Sequence, residues 1–81
     1  MPRNYIHCIT INEIHLERKD AMNAVIRISQ SGDKFTVYAE IYSRPRDMSL
    51  LRKSCDSLEM ALSSAREYTS ILIEEGFTAI N

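Results

Sequence analysis

Between Asp56 and Phe77 the sequence DSLEMALSSAREYTSILIEEGF carries a full set of helix signals, and no other stretch limits the fold as strongly. Asp56 followed three residues later by Glu59 is a capping-box pattern, in which each side chain accepts from a backbone N–H that the first helical turn leaves unpaired. Leu58, Ala61, Leu62, Ala65, Tyr68 and Leu72 recur at steps of three and four and so share one face, which Ile71 and Ile73 widen near the end. Gly76 suits the left-handed conformation that ends a helix, and Phe77 just beyond it is placed to fold back on Leu72. A helix from Ser57 to Glu75 would be roughly 28 Å long, enough to lie across a small sheet. Its apolar face requires such a partner.

The rest of the chain supplies one. Tyr5 to Leu16, YIHCITINEIHL, is rich in β-branched residues and lacks Gly and Pro, as strands do. Its alternation is broken, because Ile9 and Ile11 fall on one face and Ile14 and Leu16 on the other. A bulge near Thr10 to Asn12 reconciles the halves. The competing reading is a short helix capped by Asn12 and running to Met22. The strand is preferred because Glu17-Arg18-Lys19-Asp20 forms a polar turn that leads straight into a second strand pattern.

Met22–Ser29 and Phe35–Tyr42 form the clearest pair, a hairpin joined across Gln30-Ser31-Gly32-Asp33-Lys34, where Gly32 supplies a positive φ. Phe35, Val37, Ala39 and Ile41 point to one side, with Ala24, Ile26 and Ile28 of the preceding strand. Thr36, Tyr38, Glu40 and Tyr42 point to the other, with Val25, Arg27 and Ser29. Pro45 breaks the pattern within Ser43–Asp47, and Met48–Ser54 is either a short fourth strand, the preferred reading, or an irregular connection before the helix cap. Thr78-Ala79-Ile80 is either a short edge strand or a tail held by Phe77. The expected architecture is a single α+β domain over residues 1–81: a three- or four-stranded antiparallel meander with one C-terminal helix packed on one face.

Composition narrows the function. Eighty-one residues, 44% hydrophobic and 26% charged, describe one globular domain with a small core. Ten basic against eleven acidic residues give no overall field to gather nucleic acid or an anionic membrane. The start MPRNYIHC has no continuous apolar run, and no stretch approaches the roughly eighteen apolar residues of a membrane span, so a cytoplasmic protein is expected. In that compartment Cys8 and Cys55 are expected as reduced thiols. A bridge is open to them only if the first strand passes the helix start.

No enzymatic or metal site is expected. His7 and Cys8 are neighbours on a strand and point to opposite faces, which prevents them from closing a tetrahedral zinc site with His15 and Cys55. Cys55 beside the helix N-terminus is the better thiol nucleophile, but Asp56 opposes its ionisation and no local motif pairs it with a histidine. With Gly32 and Gly76 as the only glycines, there is no phosphate-cradling loop or dinucleotide fingerprint. No cofactor follows from the residues.

What remains is recognition. Arg27, Tyr38 and Tyr42 share the helix-free face, and Arg44, Arg46, Arg52 and Lys53 against Asp47 give +3 over residues 44–53. Such a face suits a nucleic-acid groove or stacked bases. A three-stranded sheet with a C-terminal helix, over Met22 to Gly76, resembles the DNA-binding modules of some phage integrases and plant transcription factors in element order. Asp56, Glu59, Glu67, Glu74 and Glu75 against Arg66 give −4 over residues 56–75, so the molecule is polarised, with Glu67 and Glu74 as a second, acidic site. Glu74 and Glu75 sit at the negative end of the helix dipole, which a cationic partner would relieve.

Exposed tyrosines and opposed charge suit a protein partner or a homodimer. In size and layout the chain resembles the small inhibitors made by phages and mobile elements, anti-CRISPR proteins among them. That resemblance implies inhibition of a macromolecular partner. The expectation is therefore a non-enzymatic protein that binds and regulates a protein complex through Arg27, Tyr38, Tyr42, Arg44 and Arg46, with double-stranded DNA as the alternative partner.

Overall fold

The computed structural model describes residues 9–42 and 48–80. Among them, β1 (Ile9–Glu17), β2 (Asn23–Ser31), β3 (Lys34–Tyr42) and β4 (Met48–Cys55) precede α1 (Leu58–Glu74), and β5 (Thr78–Ala79) follows it. The strands form one antiparallel sheet in the order β4-β3-β2-β1-β5. This is the expected α+β fold, with a four-stranded meander extended by β5 along part of the outer edge of β1.

The bulge expected in the first strand is present. The β1–β2 register shifts between Thr10 and Asn12, so that Ile14 and Leu16 stand opposite Ile26 and Ala24 on the helix side. Without that extra residue Ile14 and Leu16 would face away from the core. The segment Asn12–Glu17 is strand, not helix. Between β2 and β3 the hairpin is tighter than the expected five-residue connection: Ser31 pairs with Lys34, leaving only Gly32 and Asp33 in the turn. Gly32 has φ +64° at the first central position, where a type II′ turn calls for glycine.

The helix begins one residue later than the sequence pattern suggests. Ser57 is the N-cap, and its hydroxyl accepts from the Met60 N–H at 3.2 Å. Asp56 instead accepts from Lys34 Nζ at 3.1 Å. Both oxygens were available; the serine wins because the chain leaves β4 at Cys55 and turns with Ser57 in the extended conformation a cap requires, φ −144° and ψ 158°. At the other end the glycine cap forms in full. The Gly76 N–H donates to the Ile73 carbonyl and the Phe77 N–H to the Leu72 carbonyl, each at 3.0 Å, with Gly76 at φ +101°.

One apolar layer lies between helix and sheet. Leu16, Ala24, Ile26, Ile28, Val37, Ala39 and Cys55 from the strands meet Ala61, Ala65, Leu72 and Phe77. The small residues Ala61 and Ala65 on α1 and Ala24 and Ala39 on the sheet allow the two layers to approach closely, while Ile26, Ile28 and Val37 fill the centre. The helix lies over β2, β3 and β4 rather than over β1. No helix among the described residues is long and apolar enough to cross a membrane.

Candidate functional site

The helix-free face is organised in rows, because antiparallel pairing sets one residue of each strand beside its neighbours. The central row reads Glu13, Arg27, Tyr38, Arg52 across β1 to β4. The next row places His15 beside Val25 and Val25 beside Glu40, and beyond it Glu17 stands beside Asn23 and Asn23 beside Tyr42. Side chains bridge the rows. Arg27 Nε donates to Glu13 Oε2 at 2.8 Å, and Arg27 Nη1 lies 3.5 Å from Glu40 Oε2. Glu40 Oε1 accepts from the Tyr42 hydroxyl at 2.8 Å, and His15 Nε2 lies 3.3 Å from Glu13 Oε1. These long side chains roof the face, which is why Val25 and Ser29 are only 5% and 8% exposed although no helix covers them.

The network shifts the Glu13 carboxyl and the Tyr42 phenol from their ordinary values. The hydrogen bond from Arg27, and next the one from His15, hold the Glu13 carboxyl below its ordinary value. Accepting the Tyr42 proton ties Glu40 to the phenol, so that this hydrogen bond, followed by burial, raises Tyr42 above the ordinary tyrosine value. A carboxylate with a lowered folded pKa stabilises the fold above the unfolded pKa and loses that contribution as pH falls through the folded value. The native protein is therefore expected to lose thermal stability on acidification below the ordinary carboxylate range, and Glu13→Gln to flatten that slope. Melting temperatures recorded from neutral pH to pH 3 for both proteins check this. An unchanged slope would exclude Glu13 as a source.

Arg27, Tyr38 and Tyr42 share the helix-free face as expected, and Arg52 joins them through its pairing with Tyr38. Lys53, next in sequence, stands opposite Val37 and so falls on the helix side of the sheet. The basic run 52–53 is thus divided between two surfaces. Arg44 and Arg46 lie outside the described residues, as do His7 and Cys8. Glu67 and Glu74 are exposed on α1. Cys55 is a buried free thiol. Among the described residues no three His, Cys, Asp or Glu side chains converge on a point.

Two features escape a linear reading. The first is the pair Glu13 and Glu40, which converts Arg27 from an isolated cation into the centre of an ionic row. The second is Arg18, in the β1–β2 turn. Its guanidinium holds Asp20 through two hydrogen bonds of 2.9 Å, donates to the Glu75 carbonyl at 3.1 Å and stacks 5.0 Å from the Phe77 ring centre. Arg18 therefore supplies from within the chain the cation that the negative helix end calls for. Bonding to Asp20 above all raises the Arg18 pKa further.

The helix side carries a groove of about 330 Å³ beside the end of α1, lined by Ala39, Ile41, Leu51, Tyr68, Ile71 and Phe77 among others. A second groove lies between α1 and β1, lined by Ile14 and Leu62 among others. Comparison with known proteins finds no matching family model, no matching curated protein and no matching solved structure.

Proposed function

We propose that the chain is a non-enzymatic binding protein that engages a protein partner through its helix-free sheet face and thereby inhibits or regulates it, in the manner of the phage and mobile-element inhibitors it resembles in size and layout. The observation that carries this reading is the Glu13, Arg27, Tyr38, Arg52 row, with Glu40 and Tyr42 beside it. A duplex binder gains affinity by bringing uncompensated cations to phosphates. Here Arg27 is already held by two carboxylates, which would themselves repel a phosphate backbone. Alternating charge around two tyrosines is instead the chemistry of a protein interface, where arginine and tyrosine anchor and opposed charges fix the register. Double-stranded DNA remains the second reading on account of the +3 charge over residues 44–53.

The two readings separate experimentally. Replacing Tyr38→Ala together with Arg52→Glu is expected to weaken capture of the protein partner from host extract by about 2 kcal/mol or more while circular dichroism stays native. Unaltered capture by the double variant would rule this face out. Retardation of duplex DNA that weakens steeply between two salt concentrations would favour the nucleic-acid reading instead.

A further inference from the structure

β4 ends the sheet, and among the described residues nothing pairs with its outer edge from Met48 to Cys55. Its pairing with β3 runs without a register shift from Phe35–Cys55 to Tyr42–Met48, so no bulge twists this edge away from a visitor. An unbroken edge of this length presents a row of backbone donors and acceptors suited to another strand.

The helix flank beside that edge is apolar and acidic. At 100° per residue, Met60, Glu67, Ile71 and Glu74 fall on one flank of α1. Ile71 lines the groove with Leu51 of β4, whereas Leu62 and Thr69 line the groove against β1, so this flank is the one turned towards β4. Leu51 is 51% exposed, Ile71 53% and Met60 49%. Lys53 stands beside them on the same side of the sheet, and among the described residues neither Lys53, Glu67 nor Glu74 takes part in an ion pair.

From these features we infer that β4 is a homodimer interface, in which two copies join edge to edge about a two-fold axis at Leu51 and both helices lie on the same side of a continuous sheet. Self-complementarity selects this arrangement. With the axis at Leu51, the leucines of the two copies face each other beneath the paired Ile71 side chains, and neither Arg52 nor Lys53 meets its own copy. Axes at Arg52 or Lys53 would place like charges directly opposite. Pairing that set the helices on opposite sides would leave Leu51 and Ile71 uncovered.

Charge fits as well. β4 runs towards the start of α1, so Lys53 of the second copy, two residues or about 7 Å across the axis, lies opposite Ser49 under the end of the helix. From Ile71, beside Leu51, Glu74 is three residues or about 4.5 Å further along α1 in the same direction, and the flexible lysine arm spans the remaining offset of about 2.5 Å. Lys53 of each copy thus reaches Glu74 of the other. This interface is independent of the helix-free face, although it would join two such faces into one.

Sedimentation equilibrium of the full chain tests the inference. The wild-type protein is expected at twice its 9.3 kDa mass. Lys53→Glu and Glu74→Lys should each raise the dissociation constant about tenfold or more, and the two together in one chain should restore the dimer. Leu51→Cys on a Cys8→Ser background should give a covalent dimer under mild oxidation, because directly opposed residues of antiparallel strands lie within disulfide reach. A wild-type monomer at all concentrations, or a dimer indifferent to Lys53→Glu and not cross-linked through position 51, would overturn it. Both readouts are independent of any partner captured by the helix-free face.

Discussion

Phe77→Ala is expected to destabilise the protein by about 3–5 kcal/mol, against a total of about 4–12 kcal/mol for a domain of this length. The ring is buried in the layer between helix and sheet. Phe77 closes the glycine cap of α1 through its N–H bond to the Leu72 carbonyl, shares the core cluster with Leu72, and carries the Arg18 guanidinium over its ring at 5.0 Å. Truncation removes the ring's transfer energy and opens space continuous with the groove beside Tyr68 and Ile71, which the small neighbour Ala39 cannot refill. It also strips Arg18 of the surface against which its arm is ordered. Urea unfolding followed by circular dichroism checks the loss; Phe77→Leu should recover more than half of it. A loss below about 1 kcal/mol would mean that the cap is secured by Gly76 and its backbone bonds alone.

Leu16→Ala is expected to cost about 2–5 kcal/mol. β1 lies outside the footprint of α1, and its side chains Ile9 and Ile11 are exposed. Leu16 is the residue of this strand with no exposed surface, and it sits between two alanines, Ala24 on β2 and Ala79 on β5. Neither neighbour can fill the space it would leave. The effect should be regional as well as global: the Ile80 N–H, which donates to the His15 carbonyl at 2.8 Å, should lose hydrogen-exchange protection first. Ile11→Ala, at the bulge and exposed, should cost far less. Equal losses at the two positions would show that β1 contributes to the core as a whole strand and not through this one side chain.

The fold was legible where periodicity and local chemistry agree. The α1 stripe, its Gly76–Phe77 cap and the β2–β3 alternation each rest on neighbours in sequence, and each is present. The bulge at Thr10–Asn12 was legible for a different reason, since a slipped pattern in an apolar strand leaves few other ways to bury Ile14 and Leu16. The choice of Ser57 over Asp56 as cap was not legible, because adjacent oxygens compete and the exit direction of β4 decides between them. The ionic row was hidden for the same kind of reason. Glu13 meets Arg27 only because the bulge shifts β1 by one residue, and Arg18 reaches the Glu75 carbonyl only once the β1–β2 turn is folded against the far end of the helix.

The two-residue strand β5 has a consequence for the order in which the domain can be made. Among themselves β1 to β4 pair only with their neighbours in sequence, so a growing chain can form the meander hairpin by hairpin, with little loop entropy to overcome. β5 instead pairs with β1, Ala79 against Leu16, and so joins the first and last strands of the sheet. Until residues 77–80 leave the ribosome, one edge of the sheet stays open and Phe77 is missing from the core. The meander is thus a template that waits for its last turn, and the domain gains its full stability after synthesis has passed Ile80 rather than progressively along the chain.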